Sequence, residues 1–174
     1  KIGDEWITNF SKISEFAQFS EDPATQNQLL EIKQENKQNL ISFLKEKYQS
    51  KLFKSKEDQF ATIPFLSTSQ IFSSHIKRFH EYKRQLLTIL NALMIYNDFL
   101  ENPQSRQPRA IIFAGKAAPG YEMAKNIIQL VYCVAKKINN DRATQGKLNV
   151  VFVENYNVSA AEKIIPASDL SIQV

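Results

Sequence analysis

Ala110-Ile111-Ile112-Phe113-Ala114-Gly115-Lys116-Ala117-Ala118-Pro119-Gly120 changes character from an unbroken apolar run to a glycine, a short loop and a proline. An unbroken run reads as a strand covered on both faces, as in parallel sheets, because a half-exposed strand would alternate apolar and polar residues. Gly115 ends the strand and Pro119 opens a helix. In that helix Ala124, Ile127, Ile128, Val131, Val134, Ala135 and Ile138 recur at helical spacing, and it stops near Asn139-Asn140. Leu148 to Val153 reads as the next buried strand. Strand, long helix and strand in that order predict parallel neighbours in an α/β layer, since parallel strands need a long crossover.

Working outward, Gln70 to Ile76 reads as a strand and His80 to Leu100 as a helix about 30 Å long. Its Leu86, Leu87, Ile89, Leu90, Leu93, Met94 and Phe99 leave little polar surface, so deep burial is expected. Pro103 and Pro108 close the loop after it. Ser159-Ala160-Ala161-Glu162 has the spacing of a capping box and predicts a short helix before Pro166. The first half is polar: Asp22-Pro23 predicts an N-cap and first helical residue, with a helix to about Tyr48 carrying Leu29, Ile32, Leu40, Phe43 and Leu44. Ser55 to Ser69 has turn chemistry and reads as a linker. Residues 1–70 are thus expected to be a helical segment and residues 71–174 an α/β domain. Trp6, Phe10, Phe16 and Phe19 read as a core or packing cluster, and Cys133, inside the apolar helix, as an inert core thiol.

A chain of 174 residues with 43% hydrophobic and 23% charged residues can build a core, which excludes disordered and collagenous classes. One cysteine and two histidines offer neither an internal disulfide nor a zinc set. No apolar run approaches the roughly 18 residues of a membrane span, and no signal-peptide layout is present, so a cytoplasmic protein without a membrane partner is expected. The net charge of +4 is spread thinly, which argues against nucleic acid as a partner. The missing initiator Met and the end at Ser171-Ile172-Gln173-Val174 read as a piece of a longer protein.

Lys77-Arg78-Phe79-His80-Glu81-Tyr82-Lys83-Arg84 packs four cationic side chains and a histidine at a strand-to-helix junction. Anions are the natural ligand: Lys supplies a point charge, Arg a two-pronged fork, and open α/β sheets bind ligands where strands end. Lys77, Arg78 and Lys83 are expected to form one anion site. Gly115 to Gly120 lacks both the Lys-Ser/Thr of a P-loop and the third glycine of a dinucleotide loop. Glu154-Asn155-Tyr156-Asn157-Val158 presents polar groups after the next strand. His75 and His80 read as surface or hydrogen-bonded core residues, because no nucleophile pattern accompanies either.

Together these junctions carry a resemblance. The blocks Lys77 to Leu87, Gly115 to Lys125 and Glu154 to Ala167 closely resemble, in order and spacing, the glycogen (α-glucan) phosphorylases; Ile2-Gly3-Asp4-Glu5-Trp6-Ile7 and Lys33-Gln34-Glu35-Asn36-Lys37 resemble them more loosely. The resemblance implies two Rossmann-like domains of the glycosyltransferase-B type across a cleft, with this chain an incomplete part of the C-terminal one. It implies phosphorolysis: inorganic phosphate attacks the terminal α-1,4 link of an α-glucan and releases glucose 1-phosphate, with pyridoxal phosphate as cofactor, in a homodimer.

By motif position, Lys77 resembles the lysine facing the cofactor phosphate, Arg78 the arginine gripping substrate phosphate, and Lys83 the lysine touching both. Arg78 and Lys83 are the catalytic residues so implied. Tyr82 resembles the tyrosine contacting the glucose and Tyr156 one beside the cofactor, while His80 and Glu81 are assigned to scaffolding. Ser73-Ser74-His75 departs from the usual Asp-x-Gln, and Asn157 stands where many members carry Arg. The Gly-rich loop and Schiff-base lysine that follow the Asp169-Leu170-Ser171 block in the resembled family lie outside these residues, and the resemblance then implies that the piece alone is inert. A nucleotide-sugar glycosyltransferase of similar architecture and a non-catalytic anion- or partner-binding module are the alternatives.

Overall fold

The computed structural model describes residues 1–52 and 66–174, which form two compact units, Lys1–Glu35 and Asn36–Val174. Much of the expected linker at Ser55 to Ser69 lies outside the described residues. The first unit holds the 3-10 segments Glu5–Ile7 and Phe10–Phe19 and the start of helix α1, Pro23–Leu52, whose later residues belong to the second unit. Asp22 caps α1 as expected, its carboxylate accepting from the Ala24 N–H at 3.2 Å and from the Thr25 hydroxyl at 2.5 Å. The Trp6, Phe10, Phe16 and Phe19 group makes no core: neither 3-10 segment buries a residue, and only Phe16 and Phe19 of the group are in ring contact, centroids 5.7 Å apart. A unit this small has too little volume to enclose four aromatic side chains.

The second unit is built on a four-stranded parallel sheet in the order β3-β2-β1-β4, with β1 Ile71–Ile76, β2 Arg109–Ala114, β3 Leu148–Val153 and β4 Leu170–Ser171. The expected strands are all present, and β2 and β3 pair in parallel from Arg109 opposite Leu148 to Ala114 opposite Val153. Helices α2 (Gln85–Glu101) and α3 (Glu122–Asn139) cover one face, enclosing Ile111, Phe113, Val150 and Phe152. The second half of α1 and helix α4 (Val158–Ala167) cover the other, against Phe72, Ile112 and Val151. Both faces being covered is why β2 after Arg109 and β3 apart from Asn149 are apolar throughout.

Polar anchors fix the second layer. Lys37 on α1 is buried, pairs with Asp169 at 2.7 Å and donates to the Gln70 carbonyl at 2.8 Å, while Asp169 also accepts from the Phe72 N–H at 2.7 Å. This ion pair is bracketed by hydrogen bonds on both partners, the arrangement in which a sheltered pair is not left with unsatisfied charge.

Expectations fail at three helices. Helix α2 begins at Gln85, not His80, and is not deeply buried: Thr88, Ile89, Ala92, Ile95, Tyr96 and Phe99 face the sheet, but Leu86, Leu87, Leu90 and Met94 are exposed. Its composition is apolar on every side, which hides the period, and the sheet covers only one side. Cys133 is exposed, because at about 100° per residue it points away from the Val131, Val134 and Ile138 stripe. The capping box at Ser159 is not made; Asn157 is the N-cap of α4, accepting from the Ala160 N–H at 3.0 Å, and Pro166 lies inside the helix rather than beyond it. Among the described residues no helix is long and apolar enough to cross a membrane.

Candidate functional site

The sheet brings the carboxyl ends of β1, β2 and β3 to one side, and the three junctions singled out in the sequence follow those ends. The chain leaves β1 at Lys77 and turns before α2 in a strongly fixed conformation. Phe79 is the buried anchor of that turn, 1% exposed, with its ring edge-on to Phe152 at 5.7 Å and its N–H donating to the Lys116 carbonyl at 3.0 Å. The β2 junction presses from beside it: a Cβ at Gly115 would lie 2.1 Å from the Lys77 carbonyl oxygen and 3.1 Å from the Phe79 ring. Glycine is required there for close backbone approach.

Past Phe79, His80 caps a 3-10 turn at Glu81–Lys83, its Nδ1 accepting from the Tyr82 N–H at 3.4 Å. Arg84, with φ of +56°, then reverses the chain into α2. His80 packs its ring 4.1 Å from Tyr82 and 5.0 Å from Tyr121, whose hydroxyl donates to Glu81 at 2.5 Å. That bond to the Glu81 carboxylate raises the Tyr121 pKa, since the carboxylate favours the protonated phenol. The Lys83 ammonium lies over the Tyr82 ring at 5.6 Å. The cations therefore sit ahead of α2 on a braced turn rather than within the helix's first turn.

Two hollows open beside this turn. One, of about 440 Å³, is lined by Arg78, His80, Tyr82, Lys83 and Tyr121 among others. The other, of about 460 Å³, is lined by Arg78, Gly115 to Pro119 and Tyr156. Arg78 lines both, so it joins Lys83 and Tyr82 on one side to Tyr156 on the other. Lys77, half-buried, lines neither hollow. Tyr156 is held by the β3 junction, where Glu154 accepts from the Tyr132 hydroxyl at 2.6 Å and its carbonyl from Lys47 at 2.5 Å. Asn157, noted in the sequence as a departure from the resemblance, is engaged in capping α4.

Sequence reasoning missed Gln85 and Tyr121. Gln85 is fully buried; its amide donates to the carbonyls of Arg78 at 3.1 Å and Lys77 at 3.4 Å, and its oxygen faces the His80 N–H at 3.4 Å. Its one signal was its place directly after Lys83-Arg84 in the quoted block. Tyr121 had only its place in the block Gly115 to Lys125, since its partners lie about forty residues away on another junction. Among the described residues no group of three or more His, Cys, Asp or Glu side chains converges as a metal site.

Comparison with known proteins places this arrangement. A family model described as carbohydrate phosphorylase matches residues 1–174. The chain is 41% identical over 175 aligned residues to the human liver form of glycogen phosphorylase, with all of this chain and 19% of that protein covered. It is 39% identical over 175 residues to the human brain form, again covering all of this chain and 19% of the relative. To the Chlamydia pneumoniae glycogen phosphorylase it is 42% identical over 174 residues, covering 99% of this chain and 19% of the relative. The chain thus spans about 19% of the length of the curated relatives it matches.

Proposed function

The chain belongs to the carbohydrate phosphorylase family, and from that membership we propose that it supplies the phosphate-gripping turn of an α-glucan phosphorylase, which moves a terminal α-1,4-linked glucosyl unit onto inorganic phosphate to give glucose 1-phosphate. The observation that carries this reading is Arg78, which lines two adjoining hollows at the carboxyl end of the sheet, with Lys83 and Tyr82 beside one and Tyr156 beside the other.

A phosphorolytic site has to hold phosphate where a sugar also binds. Arg78 presents a planar fork suited to two phosphate oxygens, and Lys83 adds a second cation within the same hollow. Tyr82, 67% exposed and braced by His80, offers a hydroxyl and ring edge of the kind that orients a sugar. Lys77 lies outside both hollows, but their lining still fits an anionic cofactor: Lys83 is a cation for a phosphate ester in one, Tyr156 a phenol in the other, and Arg78 borders both. These are the residues that would hold pyridoxal phosphate, which when bound supplies acid–base chemistry through its own phosphate. Two phosphates close together repel strongly unless cations surround them, and the turn provides those cations.

The test is Arg78→Ala in the full-length protein that carries this chain. Phosphate-dependent turnover is expected to fall by about 2 to 4 kcal/mol of transition-state stabilisation, the scale of one positioned donor, with Arg78→Lys intermediate. Unchanged phosphate dependence would sink the assignment. On the same reading the 174-residue stretch alone neither releases glucose 1-phosphate nor forms a borohydride-reducible adduct with pyridoxal phosphate.

A further inference from the structure

We propose that Gln85 is the positioning residue of the cationic turn: its side-chain amide sets the path of the Lys77-Arg78 main chain and thereby the affinity for phosphate. The inference rests on the anion-holding role proposed above, which it deepens by naming what makes that role possible.

A turn bearing Lys77, Arg78, Lys83 and Arg84 carries mutually repelling charges and would splay unless its backbone were tied. The Phe79 N–H is held by the Lys116 carbonyl, and the carbonyls of Lys77 and Arg78 are tied by one neutral side chain. The Gln85 Nε2 donates to both the Lys77 and the Arg78 carbonyls, and its Oε1 accepts from His80, so one carboxamide engages backbone groups of three of four successive residues. Gln85 is 0% exposed and sits at the first position of α2, so its own placement is set by the helix packed on the sheet. On the other side the Lys77 carbonyl meets Gly115, where no Cβ fits. The Lys77 carbonyl is therefore clamped between the Gln85 amide and Gly115, and Arg78 projects from the clamped segment into both hollows.

The side-chain chemistry is selective. Ionised Glu could accept from His80 but would face two carbonyl oxygens with negative charge; Asn is one methylene too short; Met fills the volume with no donor and only a weak acceptor. A residue that acted only as core filling would be replaced by Met with little effect on phosphate.

The experiment compares Gln85→Met, Gln85→Glu and Arg78→Ala in the full-length protein. It reads the KM for inorganic phosphate, the KM for glucan, the dissociation constant of inorganic phosphate by 31P NMR, and the unfolding midpoint. Gln85→Met is expected to weaken phosphate by about tenfold on both phosphate readouts, the scale of one hydrogen bond lost at a positioned group, with the glucan KM unchanged. Gln85→Glu should show the same defect at neutral pH and recover as the pH falls and the carboxyl regains a proton to donate. A lowered midpoint with unchanged phosphate affinity in Gln85→Met would overturn the proposal. If that variant does not fold, Gln85→Glu decides, and a phosphate KM equal to wild type at all pH values would overturn it. Arg78→Ala separates the two claims: if it leaves phosphate affinity intact, the anion site itself is wrong; if it weakens phosphate while the Gln85 variants do not, only the positioning role fails.

Discussion

His75 occupies the middle of a parallel sheet, where a titratable ring is out of place. It is fully buried, its Nδ1 is 2.9 Å from the Thr88 hydroxyl, its ring stacks on Phe113 at 6.2 Å, and its Nε2 has no hydrogen-bond partner among the described residues. Burial first, and then the nearby Lys77 charge, lower its pKa, only partly offset by the Lys83 backbone, so the fold favours neutral imidazole. The folded pKa lies below the unfolded value of about 6.5, so this group's contribution to stability is full above that pH and lost as the pH falls through the folded pKa. Unfolding midpoints should therefore drop from about pH 7 to about pH 5 more steeply in the wild type than in His75→Gln. Parallel curves would show that His75 is not the group responsible. Gly115 makes a different claim on the same turn. Gly115→Ala places a methyl 2.1 Å from the Lys77 oxygen, so backbone must move. The expected cost is about 1 to 3 kcal/mol in denaturant unfolding, together with weaker phosphate use; wild-type behaviour in both would mean the approach is slack.

Among the elements, β2, α3 and β3 were legible because their apolar periods are set by burial on one or two faces, and sequence records burial directly. The polar Ser73-Ser74-His75 of β1 gave less, since its partners Ser168 and Thr88 come from α4's end and from α2. Helix α4 shows how a local motif loses to geometry. Ser159 has the spacing of a capping box, yet the chain enters the helix two residues earlier, because Asn155 takes φ of +49° and delivers Asn157 as the cap. Asn157→Ala should cost about 1 kcal/mol of stability, and Ser159→Ala no more than a few tenths. Equal losses, or a larger loss at Ser159, would contradict the cap seen here. The exposure of Cys133 and of one side of α2 was hidden for a related reason: apolar residues around a helix do not say which side the sheet will cover.

At the scale of the molecule, the order β3-β2-β1-β4 reverses direction at β1, the switch point beside which open α/β sheets gather their ligands. The sequence placed cations at one junction and polar groups at two others, and the resemblance joined them. What it could not show was their adjacency: that Gly115 touches Lys77, that Tyr121 holds Glu81, and that Arg78 stands between two hollows. Those relations pass through space between segments some forty residues apart, where no periodic pattern operates. The central claim is that this end of the sheet holds phosphate through Arg78 and Lys83. Its most direct test is a crystal of the protein soaked in inorganic phosphate or sulfate. The account predicts tetrahedral anion density in the hollow lined by Arg78, Tyr82 and Lys83, contacting the Arg78 guanidinium; ordered Arg78 and Lys83 side chains around a solvent-open hollow without an anion would contradict it.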